Sequence, residues 1–218
     1  GHQQTLVGMT TFEVIHEDII NELTQMYPLI KPLVKDDQAV IEAGFKKWAE
    51  NIIANGVPHN NWDLFQADFI VKIALVLQDN QAYADGKGKQ YYLDYIVNQN
   101  SIRQWSMNKL IDFGFDAKSK TWYESPGYST TVLSSICDFA NMLDEKAGID
   151  LFKQRPILTE AVKTSAEYLF PNRMIAGFGD THPGYLNTGG IDQVLKYATR
   201  HKNKNLISEM NLLKNAVA

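Results

Sequence analysis

The chain has 218 residues and a mass of 24.7 kDa, with 44% hydrophobic residues, 11% aromatics and a formal net charge of -4. That is enough for one large or two small domains with a packed core, and it excludes disorder as the main state. Twenty-one basic against 25 acidic residues argue against a nucleic-acid partner, and the most apolar stretch, Phe65 to Leu77, is broken by Gln66, Asp68 and Lys72, short of the roughly 20 apolar residues of a membrane span.

The opening Gly1-His2-Gln3-Gln4 has neither a basic leader nor an apolar segment, and Gly1-His2 reads as the scar of a removed tag. The chain is therefore expected to be a piece of a longer protein. Phe12 to Tyr27 carries Val14, Ile15, Ile19, Leu23 and Met26 at helical spacing, with Thr10 or Thr11 as N-cap and Pro28 and Pro32 at the exit. Asp37 to Ala54 is the clearest amphipathic helix, its stripe running through Val40, Ile41, Gly44, Phe45, Trp48, Ala49, Ile52 and Ile53. Asn61 to Leu77 is apolar over most of its circumference, the mark of an inner helix, and Gln78-Asp79-Asn80 ends it.

Lys89 to Val97, with Tyr91, Tyr92 and Tyr95, and Ser101 to Phe113 are two further expected helices. Gly114 to Gly127 shows no helical stripe and is long enough for a functional loop. Helix resumes at Ser129 with Val132, Leu133, Ile136, Cys137, Ala140 and Leu143, and the lone cysteine is expected to be a small buried hydrophobe. Arg155 to Phe170 reads as one helix, with Pro156 in its first turn and Pro171 after it. Asn172 to Gly189 is a second long loop, and helices at Ile191 to His201 and Asn205 to Ala216 close the chain. No segment alternates as a strand does. The expected fold is all-α, built of antiparallel helical hairpins with their longer loops on one rim, which fits a toroid or superhelix better than a simple bundle.

The histidines at positions 2, 16, 59, 182 and 201 show no metal-binding spacing, and the glycine-rich stretches around Gly177 and Gly184 follow no strand and end in no Gly-Lys-Ser or Gly-Lys-Thr. Neither a metal nor another cofactor is expected. Three polar and aromatic clusters remain. Pro58-His59-Asn60-Asn61-Trp62-Asp63 opens the inner helix and also reads as ordinary capping by Asn60 or Asn61. Trp122-Tyr123-Glu124-Ser125-Pro126-Gly127-Tyr128-Ser129 ends the first long loop, with Ser125 or Ser129 available as a cap. The third runs from Pro171-Asn172-Arg173 through Gly177-Phe178-Gly179-Asp180-Thr181-His182-Pro183.

Taken in order, these runs resemble the helical toroid domain of heparinase II/III-like polysaccharide lyases over roughly residues 40 to 190. The resemblance implies an incomplete α/α toroid, normally followed by a β-sandwich domain that this sequence does not contain, and β-elimination on an acidic, uronate-containing polysaccharide. Such a reaction needs a donor to the C5 carboxylate, a base for the adjacent proton and an acid for the leaving oxygen. By resemblance Asn61 takes the first role, with Asn60 as alternative, and Tyr128 matches the family's catalytic tyrosine. Many members carry a histidine directly after the asparagine, where this chain has Trp62; His59 is the substitute candidate, and a histidine of the missing sandwich is the other. Substrate contacts are expected from Trp62, Trp122, Tyr123, Glu124, Arg103, Arg173 and His182, with Trp105 and Lys109 as further rim candidates. Related folds act on heparan sulfate, alginate, chondroitin and other uronates, and the resemblance suggests a periplasmic or extracellular location. Two other readings stand beside it: a glycoside hydrolase using carboxylates such as Asp63, Glu124 or Asp180, and a non-catalytic carbohydrate-binding helical fragment.

Overall fold

The computed structural model describes residues 19–177, 179 and 184–217. The expected start of the first helix, with Thr10 and Thr11, lies outside them. The fold is all-α: α1 (Ile19–Ile30), α2 (Gln38–Asn55), α3 (Asn61–Val76), α4 (Lys89–Asn98), α5 (Met107–Gly114), α6 (Pro126–Ala147), α7 (Leu151–Gln154), α8 (Ile157–Thr164), α9 (Gly189–Arg200) and α10 (Lys204–Val217). Its one sheet among the described residues pairs β1 (Met174–Ile175) with β2 (Gly184–Tyr185) antiparallel. None of the described helices is long and apolar enough to cross a membrane. The chain divides into two compact units, Gly1–Ile111 and Asp112–Ala218.

In the first unit α3 is the inner helix, as its composition predicts. It packs against α1, α2 and α4 and buries Leu64, Ala67, Phe69, Ile70, Val71, Ile73 and Ala74, which together cover most of its circumference. The face of α2 differs from the expected stripe. Phe45, Ala49 and Ile52 are buried, but the fourth buried residue is Glu42, and Val40 is 74% exposed. Glu42 is tolerated there because donors surround it. Tyr27 Oη (3.1 Å), Lys31 Nζ (3.0 Å) and Gln38 Nε2 (3.0 Å) meet one carboxylate oxygen; Gln78 Nε2 (3.0 Å) and Tyr83 Oη (2.7 Å) meet the other. Burial alone would raise its pKa, but the hydrogen bonds from Tyr83, Gln78, Lys31 and Tyr27 outweigh it and bring the carboxyl down to about 2. The same carboxylate ties α1, α2 and the turn after α3 together. Pro28 sits inside α1 rather than after it, two residues before the end, where its missing N–H removes one helical bond near a terminus.

Two helices are shorter than their patterns suggest, because side chains take over backbone partners. Ser101 Oγ accepts from the N–H groups of Arg103 and Gln104, and Asn100 Oδ1 accepts from that of Ser106, so α5 starts only at Met107. After α8, Ser165 Oγ donates to the Val162 carbonyl at 2.7 Å, and the chain tightens into a 3-10 turn at Ser165–Tyr168. It then enters β1, a two-residue strand too short for any alternation to show in the sequence.

The second unit is built on α6, which packs against α7, α8 and α9, with α10 on α9. The predicted stripe is buried, Cys137 included, and burial pushes the Cys137 thiol up. The helix begins three residues earlier than expected, with Pro126 at its first position, where a missing N–H costs nothing. Gly148, at φ +68, ends it by sending its N–H back to Asp144 and that of Ile149 to Leu143. Two glycines let α9 sit close on this helix. A Cβ on Gly189 would come within 2.2 Å of Ser134 Oγ, and one on Gly190 within 3.2 Å of Val162. The Gly189-Gly190 pair therefore serves helix packing.

The Glu42 network sets an expected outcome. Glu42→Gln, which turns a donor toward the Tyr and Lys donors, is expected to cost about 3 kcal/mol at neutral pH. Because the folded pKa lies below the ordinary value, the carboxylate's contribution is complete above about pH 4.5 and is lost as the pH falls toward about 2. Urea melts at successive pH values should show wild type and variant converging on acidification.

Candidate functional site

Asn60 caps α3: its Oδ1 accepts from the Trp62 N–H at 2.9 Å. Capping thus occupies Asn60. The next residue, Asn61, stands at the first helical position, half-buried, with its amide free of hydrogen bonds to described residues. The cap uses only the Asn60 oxygen, so both asparagines keep an amide NH2 to donate. His59 adopts a left-handed φ of 69°, and its ring packs on Trp105 at 4.4 Å between centroids. Lys109 Nζ lies 3.7 Å from the Trp105 ring centroid, a cation–π contact. Trp62 is 37% exposed, and Arg103 and Lys109 are also exposed.

This surface is held from beneath by polar side chains that look like surface residues in the sequence. Gln66 Oε1 accepts from the Val57 N–H at 2.6 Å, and Gln66 Nε2 donates to Gln104 Oε1 at 2.8 Å. Gln104 Nε2 reaches the Asp63 carbonyl at 3.2 Å, and Asp63 Oδ1 accepts from the Trp105 N–H at 3.0 Å. Gln66, Gln104 and Asp63 are each 0% exposed. Burial pushes the Asp63 carboxyl up to about 8, against the opposing pull of the Trp105 N–H and the Lys109 charge. Asp63 is therefore a positioning residue of the α3 entry, without access for a water or a sugar. A larger hollow in the same unit, about 450 Å³, is lined by Glu42, Lys46, Glu50, Tyr83, Lys87 and Tyr92. Its acids are already engaged, Glu42 as described, Glu50 by Lys87 and Tyr92, and Asp85, which also lines it, by Lys46.

In the second unit the Trp122–Tyr128 run divides by burial. Trp122 is 2% exposed, its ring edge-on to Phe115 at 5.2 Å and so close to Gly114 that a Cβ there would fall 1.9 Å from it. Its ring is a core element here, with no face open for a sugar. Glu124 accepts the Trp122 indole N–H at 2.7 Å. Tyr123, 49% exposed, stacks edge-on with Phe113 at 5.5 Å. Tyr128 lies in the first turn of α6 and is 39% exposed. It lines a cleft of about 280 Å³ with Thr131, Ile175, Gly184, Tyr185 and Asn187. Arg173, at φ 65°, is exposed in the turn before β1. Asp180 and His182 lie outside the described residues. Tyr185 and Asn187, which nothing in the sequence singled out, come to Tyr128 through the β-ribbon, whose register pairs Met174 with Tyr185.

Elsewhere in this unit Asp144, Asp150 and His201 bring ligand atoms within 4.8 Å of one another. Arg200 Nε meets Asp144 at 2.8 Å, His201 Nε2 meets it at 2.9 Å, and Tyr197 Oη donates to Asp150 at 3.0 Å. The group is an ion-paired clamp between the C-terminal ends of α6 and α9.

Residues 118–218 match the family model described as the second domain of endo-acting ulvan lyases. The match supports a polysaccharide lyase domain. It covers just under half of the chain, takes in all but the first residues of the second unit, and includes Tyr128 and every residue of its cleft. No curated protein matches the chain, and no solved structure does.

The raised Asp63 pKa makes a second expected outcome. The folded form holds its proton while the unfolded chain releases it near 3.8, so stability falls as the pH rises from about 4 to about 8. Asp63→Asn keeps an acceptor for the Trp105 N–H and loses this titration. Thermal melts should show the variant gaining several degrees on wild type at pH 8, and the gain vanishing near pH 4.

Proposed function

We propose that this chain forms part of a lyase that cleaves a uronate-containing polysaccharide by β-elimination, with ulvan as the first substrate to test. The observation that carries the reading is the family match over the unit containing Tyr128. The motif resemblance to heparinase II/III-like lyases supports the same chemistry, and with it an incomplete α/α toroid completed by a further domain. A polymer of this kind is met outside the cytoplasm, which favours a periplasmic or extracellular setting.

In the reaction that the resemblance implies, an amide, the role it gives to Asn61, donates to the C5 carboxylate of the uronate, which makes the C5 proton more acidic. A base removes that proton; the electron pair forms the C4–C5 double bond, the C4–O bond breaks, and the leaving glycosidic oxygen takes up a proton. Tyr128 is assigned to the proton transfers, as base when ionised and as acid when neutral. His59 is the candidate for assistance from within the chain. One observation disfavours hydrolysis by a carboxylate pair that includes Asp63: its carboxyl is fully buried and out of reach of a sugar. Glu124 holds the Trp122 indole N–H with one oxygen, and Asp180 lies outside the described residues.

The test is to follow ultraviolet absorbance while the chain, and the longer protein that contains it, digests ulvan and a panel of other uronate polymers. Elimination creates an unsaturated uronate that absorbs; hydrolysis does not, and product without the chromophore would overturn the proposal. Tyr128→Phe and Asn61→Ala are each expected to lower turnover by about 100-fold or more while leaving the melting temperature close to that of wild type. Full turnover in either variant removes that residue's role.

A further inference from the structure

Trp105 is held at both of its backbone polar groups, and its ring carries a cation. Asp63 Oδ1 accepts from its N–H at 3.0 Å, and Gln104 Nε2 donates to its carbonyl at 3.1 Å. Both partners are fully buried. On this base the half-buried Trp105 ring meets His59 at 4.4 Å, tilted by 60°, and lies 3.7 Å from Lys109 Nζ. Lys109 stands in the first turn of α5, where its N–H donates to Ser106 Oγ at 3.2 Å and the following Leu110 and Ile111 are buried. An exposed lysine ordinarily samples many rotamers; here the ammonium rests on an indole whose own backbone is fixed. The cation is in place before a ligand arrives.

Its charge also stands. Asp63 is close enough to Lys109 for their charges to interact, but burial pushes the Asp63 carboxyl up to about 8, so it is largely uncharged at neutral pH. Arg103, exposed two residues before Trp105, adds a second cation to the same segment, and its backbone is tied to Ser101 Oγ and Gln66. The start of α3 contributes the positive end of its dipole. Asn61, to which the resemblance gives the carboxylate contact, lies two residues before Asp63 in that same helical turn. A cation held ready on an aromatic ring beside it is suited to an anionic group.

We infer that Lys109, seated on Trp105, contacts an anionic substituent of the polymer, a carboxylate or a sulfate ester, where the chain crosses the α3 entry, and that Asp63 is the positioning residue that fixes Trp105 for it. The inference rests on the polysaccharide reading for the class of ligand. It gives a part in substrate binding to the first unit, which the family match leaves uncovered.

The test separates binding from turnover. Ulvan oligosaccharides are titrated calorimetrically into the chain carrying Tyr128→Phe, with and without Lys109→Met, which keeps an unbranched apolar stem and removes the charge. At low salt the added substitution is expected to weaken binding by about three- to ten-fold, with Lys109→Arg close to the parent. Near 1 M salt, where the Debye length is about 3 Å, the difference should vanish. No binding by the parent, equal affinity after Lys109→Met at low salt, or a loss that salt does not reduce overturns the subsite. Asp63→Asn, which keeps an acceptor for the Trp105 N–H, should bind as the parent does, and Asp63→Leu should bind as weakly as Lys109→Met. Adding Asp63→Leu to Lys109→Met should then cost little more; a full additional loss overturns the positioning role, and Lys109→Met decides the subsite even if Asp63→Leu does not fold. Carboxyl-reduced oligosaccharides name the source: an effect of Lys109→Met that persists on them identifies a sulfate ester, and one that disappears identifies the uronate carboxylate, each supporting an anionic contact. Absorbance assays with Tyr128 intact are run beside these, and Lys109→Met is expected to raise KM far more than it lowers kcat. Unsaturated product formed with an unchanged KM overturns the subsite alone. If the oligosaccharides bind through Lys109 yet no polymer yields that product, the lyase reading fails and the subsite stands.

Discussion

Two buried helices, α3 in the first unit and α6 in the second, set the position of the candidate residues by where they begin. A helix cannot satisfy the N–H groups of its first turn from within itself, and side chains there have no preceding turn to pack against. They therefore face the end of the helix, toward solvent or a ligand, while the body of the helix is committed to the core. Asn61 is the first residue of α3, and Tyr128 the third of α6. The rigidity of each comes from the apolar residues that follow it, and its availability from the absence of helix before it.

What anchors those starting points differs between the units. At α3 the anchor is polar: Asn60 closes the helix end, and Gln66, Gln104 and Asp63 bind the segment carrying Trp105 from below. Gln66, Gln104 and Asp63 are buried and nearly all their polar atoms are paired, so the arrangement is costly to disturb and narrowly defined. At α6 the anchor is steric. Trp122 fills the space left by Gly114, Pro126 opens the helix without an unmet donor, and Gly189 lets α9 approach near the first turns. The lining of the cleft is assembled by this contact, since it brings Asn187 to Thr131.

The Glu42 network shows the same physics away from any candidate site. A carboxylate on the packed face of α2 would be untenable alone, yet donors from three segments make it a junction. Its depressed pKa and the raised pKa of Asp63 have opposite signs for one reason. Glu42 is ringed by donors, whereas Asp63 has a single N–H on one oxygen and none on the other. Stability should therefore decline at both ends of the pH range, through different groups.

The amino-acid sequence by itself determined the helical class, the inner character of α3, the burial of the α6 stripe with Cys137, and the segments where chemistry was to be sought. These follow from periodicity and from short-range rules of capping and turns, which depend on neighbours along the chain. Tertiary structure alone decided the rest. That Glu42 and not Val40 faces inward depended on Tyr83 and Gln78, some 40 residues away in the chain. Trp122 and Tyr123 look alike in the motif, and only the space against Gly114 put one in the core and left the other exposed. Asn60 and Asn61 were equivalent as letters until one of them accepted the Trp62 N–H. Tyr185 and Asn187 carried no pattern at all, because a two-residue strand and a turn before a helix acquire meaning only from what they are folded against.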